Sequence, residues 1–139
     1  MKLTLVTAAL FVFSITSDCQ IMTPEQIIRR TIESGISEGH DQKIIGRMGD
    51  AAAVALTKVL AGKELTSQDM DLSLTILGSS FADLESIDDA TDRNPRTALF
   101  VLQRFDGAAS SLGLKTRISE MKSRLLEQHA RYVSGLSKK

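Results

Sequence analysis

The sequence contains few of the residues on which disulfide bonding, catalysis and nucleic-acid binding depend. Its 139 residues include one cysteine, two histidines, one tyrosine and no tryptophan, and aromatic residues make up 4% of the chain. The single cysteine, Cys19, excludes a disulfide within the chain. The scarcity of aromatic residues, together with the lack of a basic stretch free of acids, argues against binding to nucleic acid.

The chain also has no excess of charge of either sign. Lysine and arginine together number 17, as do aspartate and glutamate, so the molecule as a whole has no field that attracts an anionic or a cationic partner. Hydrophobic residues are 42% and charged residues 24% of the sequence, which is typical of a folded globular protein. We therefore expect one folded domain in which any electrostatic role is local.

Motifs for catalysis and metal binding are missing as well. His40 and His129 are far apart in the sequence, and neither stands at a metal-ligand spacing from another candidate ligand. The chain has no Gly-Xaa-Ser-Xaa-Gly elbow and no glycine-rich phosphate loop. The sequence therefore predicts no catalytic residue, no cofactor and no metal ligand.

Residues 83–92 form an acidic segment with five acids and no base. A calcium loop needs oxygen ligands at alternating positions, then a glycine and a more distant glutamate, and that spacing is absent. Adjacent acids such as Asp88 and Asp89 in a polar loop do not by themselves indicate a catalytic carboxylate pair. We interpret the segment as a solvated connection that precedes the positive end of the next helix.

Residues 1–17 are typical of a secretory signal peptide. A lysine supplies the positive start, Leu3–Phe13 is an apolar run, and small polar residues follow it. The run is too short for a stable transmembrane anchor, and the competing interpretation is a buried first helix. Cleavage fits after Ser17 and as late as Cys19, so we expect residues 18–139 to form a single mature domain.

A signal segment predicts a secreted or periplasmic protein whose mature chain has no transmembrane helix. Cys19 would be the lipidated residue if the protein were a lipoprotein. Asp18 before it, however, is a poor match to the small residue that lipoprotein processing prefers. Lipid anchoring through Cys19 is therefore the less favoured alternative.

Three local patterns predict helix starts. Thr23–Gln26 combines a threonine cap, a proline at the first helical position and a glutamine that can bond back to the cap. Thr66–Asp69 repeats the capping-box spacing, and Asn94-Pro95 repeats the order of cap and proline. Glycines predict helix ends: Gly35 and Gly39 bracket the end of the first helix, and Gly62 ends the second.

We predict a central helix at Ile44–Leu60, capped by Asp41. Its glycines and alanines would let neighbouring backbones approach closely. Apolar residues at helical spacing form a stripe along it: Ile44, Met48, Ala51, Ala55 and Val59. We expect this helix to be covered on more than one side and to organise the rest of the chain.

Similar stripes predict three further helices, at about residues 66–82, 94–107 and 114–136. Together with the first helix and the central helix, they predict an all-α domain. We expect a small helical bundle, or a stack of α-helical hairpins, of about five helices.

Two short motifs resemble those of bacterial HEAT-like repeat proteins. Met48-Gly49-Asp50, followed by Ala53-Val54, resembles the turn and helix start of such repeats, and Arg96–Leu99 with Leu102 is loosely similar to their second kind of helix. The match covers at most two helices, and it departs at Thr57, where the family usually has leucine. The resemblance implies a turn at the glycine of the first motif, a new helix from its aspartate, and a hairpin stack that binds other proteins.

Charge is uneven between two segments of this neutral chain. Residues 115–139 hold seven basic residues and two acidic ones. We expect them to pair with the acidic segment, residues 83–92. The alternative is an anionic partner, such as a lipid surface or an acidic protein, bound by the lysines that have no acid nearby at helical spacing. These are Lys115, Lys122, Lys138 and Lys139.

The sequence thus predicts an exported helical binding or structural module, with no identifiable catalytic site, that interacts with another protein. The alternative is a small hydrolase-like envelope enzyme whose site is assembled from scattered residues. A deep pocket with His40 or His129 beside a carboxylate would favour the enzyme. A convex surface without pockets would favour the binding module.

Overall fold

The computed structural model describes residues 22–35 and 39–137 of the chain, without the side chain of residue 137. The predictions for the signal segment, for Cys19, and for Lys138 and Lys139 concern residues outside these ranges.

Six α-helices pack against one another, and no strand occurs within the two described ranges. The helices are α1 (Pro24–Ser34), α2 (Gly39–Ile45), α3 (Asp50–Val59), α4 (Ser67–Ser80), α5 (Arg96–Ala108) and α6 (Leu112–Ser137). Two short 3-10 helices, Leu84–Ser86 and Ala90–Arg93, lie between α4 and α5. The predicted all-α class is confirmed, with one helix more than the five expected.

Both predicted capping boxes are present. The Thr23 hydroxyl accepts a hydrogen bond from the N–H of Gln26, whose side chain accepts one from the N–H of Thr23. Thr66 and Asp69 form the same reciprocal pair at the start of α4. Each box satisfies N–H groups that the first turn of a helix leaves without partners. The starts of α1 and α4 therefore follow from local sequence.

The predicted continuous helix at Ile44–Leu60 is wrong, because residues 46–49 form a turn between α2 and α3. Gly49 has φ +56, a left-handed conformation that glycine adopts without strain. A turn here and a new helix from Asp50 are the layout that the HEAT-like resemblance implied. One turn does not distinguish that family from other helical folds, and the resemblance stays a prediction.

Asp41, the predicted cap of the central helix, instead lies inside α2 and is buried. Arg30 of α1 donates from Nε to Asp41 Oδ2 at 3.0 Å and from Nη2 to Asp41 Oδ1 at 2.5 Å. This bidentate ion pair offsets the cost of burying the Asp41 carboxylate and joins α1 to α2.

Helix α3 lies at the centre of the bundle. It packs against α1, α4, α5 and the second 3-10 helix. Ala52, Ala53 and Leu56 are fully buried along it. Because two of these side chains are small, neighbouring helices can pack close to its backbone. The stretch predicted to organise the chain does so, through its second half.

The start of α5 depends on a distant residue and not on Asn94, which the sequence predicted as its cap. Asp50 is buried, and its carboxylate accepts hydrogen bonds from the N–H groups of Thr97 at 3.1 Å and Ala98 at 2.8 Å. Asn94 closes the preceding 3-10 helix, donating its backbone N–H to Thr91. The first residue of α3 therefore caps α5.

Helix α6 begins two residues before its predicted start, because the Ser111 hydroxyl accepts a hydrogen bond from the N–H of Leu114. It packs against α4 and α5. Its apolar stripe is buried only as far as Leu125, whereas Val133 is 47% and Leu136 51% exposed. Within the described residues, no helix combines the length and apolar character needed to cross a membrane.

Candidate functional site

The acidic segment, residues 83–92, is held against the turn that precedes α3. The N–H of Asp88 donates to the carbonyl of Arg47 at 3.3 Å, and the Ile87 side chain between the acids is buried. The predicted solvated connection is therefore only partly right. Most of its charged side chains are exposed, but its backbone closes one side of α3.

Gly49 determines how closely this segment approaches α3. A Cβ atom at Gly49 would lie 2.3 Å from the carbonyl oxygen of Asp92 and 2.9 Å from Cδ1 of Ile87. Both distances are too short for a real Cβ atom. The acidic segment can therefore contact the backbone here only because Gly49 has no side chain. The contact in turn places Asp92 beside the start of α3.

Two adjoining depressions form one groove between the start of α1, the turn before α3, and α3 itself. They share Pro24, Ala51 and Asp92, and their volumes are ≈ 430 and ≈ 260 Å³. We call this surface the α1–α3 groove. Most of its lining is apolar, chiefly Met22, Ile27, Ile44, Met48, Val54 and Ala55.

Five charged residues border the apolar lining of the groove. Glu25 and Lys58 line one depression, Arg47 and Asp88 line the other, and Asp92 lines both. Glu25 forms an ion pair within α1. None of the other four takes part in an ion pair within the part of the chain that the structure describes.

The surroundings of Asp92 disfavour its negative charge. Partial burial raises the pKa of Asp92, and the nearby charges of Asp89 and Asp50 raise it further. The pKa of Asp89, by contrast, is lowered by hydrogen bonds from the hydroxyl and the N–H of Thr91. Asp92 is thus a partly desolvated carboxylate in a field of its own sign, and a cation beside it would relieve both effects.

Of the four lysines predicted to bind an anionic partner, two lie within the described ranges. Lys115 is exposed on α6. Lys122 is half-buried and lies 3.4 Å from a carboxylate oxygen of Asp106 in α5. Lys122 has no acid at helical spacing within α6, as the sequence indicated, but the fold supplies one from another helix. Lys138 and Lys139 are outside the described residues.

Within residues 22–35 and 39–137, no ion pair joins α6 to the acidic segment. The ion pairs of α6 are Arg117 with Asp71, Lys122 with Asp106, and Arg131 with Glu127. Arg93, which follows the acidic segment, lies over the ring of Tyr132 with 5.7 Å to the ring centre. The predicted pairing of the two charged segments is wrong for these residues.

Neither histidine belongs to a well-formed cavity. His40 is exposed, and His129 is half-buried on α6. Neither lines any of the five principal depressions of the described surface. In that same part of the chain, no three His, Cys, Asp or Glu side chains are grouped to hold a metal ion. The described surface has depressions, but none of these five contains a histidine beside a carboxylate, which the enzyme hypothesis requires.

Sequence reasoning missed the α1–α3 groove. It treated Asp92 as one of five equivalent acids and placed Gly49 inside a helix. A glycine next to an acid in an otherwise helical pattern was the available signal, because it is typical of a turn where another backbone approaches. The residues of the groove come from three separate segments, and no sequence spacing relates them.

Comparisons of the chain with protein-family models, with curated proteins and with solved structures gave no match.

Proposed function

We propose that this protein is an exported helical binding module that acts by interaction with another protein. The observation that carries the proposal is the α1–α3 groove, an open apolar surface on the central helix of the bundle. Val54 is 40% exposed there, whereas Ala53 and Ala55 on either side of it are buried. A partner that covers Val54 would remove apolar surface from water, which contributes about 25 cal/mol per Å² before the entropy and desolvation costs of association are subtracted.

The composition of the groove favours a protein partner. Its lining combines apolar side chains with the charged residues Glu25, Lys58, Arg47 and Asp88, and protein interfaces likewise combine apolar and charged groups. An anionic lipid surface is a weaker candidate, because Lys122 already pairs with Asp106. Export to the periplasm or the cell exterior is supported by the signal segment of the sequence.

The test of this function is affinity capture in the compartment to which the protein is exported, with two matched variants. Val54→Glu places a charge in the groove, and Val133→Glu places the same charge on α6, where Val133 is 47% exposed. We expect a partner that binds the wild type and Val133→Glu but is lost with Val54→Glu, and the interaction should be reproduced with the two purified proteins. Partners retained equally by all three forms would show that the groove is not the interface.

A further inference from the structure

We infer that the α1–α3 groove accepts a partner segment in which an arginine or lysine lies next to an apolar side chain, with Asp92 as the group that binds the cation. The inference rests on the proposed function and adds the chemistry of the partner. It is carried by the position of one carboxylate within an apolar groove.

Asp92 differs from the buried aspartates of this protein in having no partner. Asp41 is paired with Arg30, the carboxylate of Asp50 accepts two backbone N–H groups, and Asp69 is paired with Lys63. The half-buried Asp92 carboxylate has no hydrogen bond or ion pair within the described residues. A partly buried carboxylate is stabilised by a charged partner. A cation from a binding partner would therefore form the ion pair that Asp92 lacks within the described residues.

The local field has the sign that attracts a cation. Asp89 and Asp50 are the charged groups that act on Asp92, and both are negative. Lys58 lines one depression and Arg47 lines the other, and neither forms an ion pair with Asp92. A basic side chain beside Asp92 would therefore be complementary in charge to that carboxylate, and apolar side chains next to it would match the apolar lining of the two depressions.

Asp92 lines both depressions, beside apolar side chains that keep some exposed surface. These are Val54, which is 40% exposed, in one depression, and the partly buried Met22 and Ile44 in the other. A basic residue bound at Asp92 would place its neighbours in the partner chain over these apolar side chains. Arginine fits better than lysine, because its guanidinium is less strongly hydrated and can bind both carboxylate oxygens.

A random peptide library presented to the purified protein tests the inference, with Val54→Glu as the form whose groove is blocked. We expect the peptides that bind wild type but not Val54→Glu to share an arginine or lysine beside an apolar residue. Replacing that arginine by citrulline, which has the same shape without the charge, should weaken binding roughly 5-fold or more.

Two further variants test whether the preference for arginine over citrulline depends on the carboxylate of Asp92. With Asp92→Asn, the arginine and citrulline peptides should bind equally well. Asp83→Asn removes a charge from the other end of the acidic segment and should leave the preference for arginine unchanged. Circular dichroism of each variant checks that the helical fold is kept.

The outcomes separate this inference from the proposed function. Peptides that require the groove but contain no basic residue, or that bind Asp92→Asn with the same preference for arginine, would overturn the inference and leave the groove as an apolar docking surface. If no peptide depends on the groove, the inference is also overturned, and the capture experiment with Val54→Glu and Val133→Glu decides the proposed function by itself.

Discussion

Gly49 and Asp50 are adjacent residues that connect three parts of the molecule. Gly49 has no side chain to obstruct the carbonyl of Asp92, so the acidic segment lies against α3. Asp50 extends its carboxylate to the N–H groups of Thr97 and Ala98, so the start of α5 is fixed to α3. The site therefore depends on these two residues, although neither has to touch a ligand.

Substitution of Gly49 tests how much the close contact contributes. Gly49→Ala should lower the free energy of unfolding by about 2–4 kcal/mol, because a left-handed φ is unfavourable for alanine and the new Cβ would displace the backbone at Asp92. Gly62→Ala is the control, since Gly62 has φ +69 but open space around it. It should cost only the backbone strain, about 1–2 kcal/mol. Equal denaturant midpoints for the two variants would contradict the close contact at Gly49.

The raised pKa of Asp92 has a consequence for the dependence of stability on pH. Burial and the charges of Asp89 and Asp50 penalise the ionised form in the folded state, so the wild type should be less stable than Asp92→Asn at pH 7. The sign follows from proton linkage: the folded state holds the proton more tightly than the unfolded state, and stability is lost as pH rises through the pKa of Asp92.

Thermal midpoints of wild type and Asp92→Asn between pH 3 and pH 7 measure this effect. The difference in thermal midpoint between the two proteins should vanish below the pKa of Asp92 in the unfolded chain, about 4. It should reach its full value above the raised pKa of Asp92 in the folded protein. A constant difference across that range would mean that the charge of Asp92 is not destabilising. A partner cation bound at Asp92 should reduce the difference, since it favours the ionised carboxylate.

At the scale of elements, α3 and α6 differ in how much of their apolar surface they bury. Helix α3 is short and its alanines are enclosed by α1, α4 and α5. Helix α6 has 26 residues, but beyond Leu125 its large apolar side chains are about half exposed. Helix length therefore does not indicate which helix organises the core, whereas the small residues of α3 do.

Ala53→Leu tests the packing of α3. Ala53 has no exposed surface, so a larger side chain must displace a neighbouring helix, and we expect a loss of about 1–3 kcal/mol in the free energy of unfolding. Lys58→Leu, at an exposed position of the same helix, should change stability by less than about 0.5 kcal/mol. Similar urea midpoints for the two variants would mean that the buried face of α3 is wrongly identified.

For the whole molecule, one prediction concerns processing of the N-terminus. The charged start, the apolar run at Leu3–Phe13 and the small polar residues after it predict that the exported protein starts between Asp18 and Gln20. The intact mass of exported protein decides the point. A mass that includes residues 1–17 would refute the signal peptide, and a diacylglycerol group on Cys19 would favour the lipoprotein alternative.

The sequence by itself determined the fold class and most helix boundaries, because these depend on interactions between residues a few positions apart. The capping boxes at Thr23 and Thr66 use residues three positions apart. Apolar stripes predicted the buried faces of α4 and α5 because helical periodicity is a local property. Leu74 and Leu102, which lie on the stripes of α4 and α5, are buried.

The HEAT-like resemblance implied the turn before α3, but only the tertiary structure decided the cap of α5 and the α1–α3 groove. Asp50 and Ala98 are 48 positions apart in the sequence, and their hydrogen bond exists only because α3 packs against α5. Asp92 differs from the other acids of its segment because Gly49 admits its backbone to the start of α3. The residues of the groove come from chain segments that are far apart in the sequence and meet only on folding. Local sequence patterns therefore cannot predict the burial and the charges of the groove.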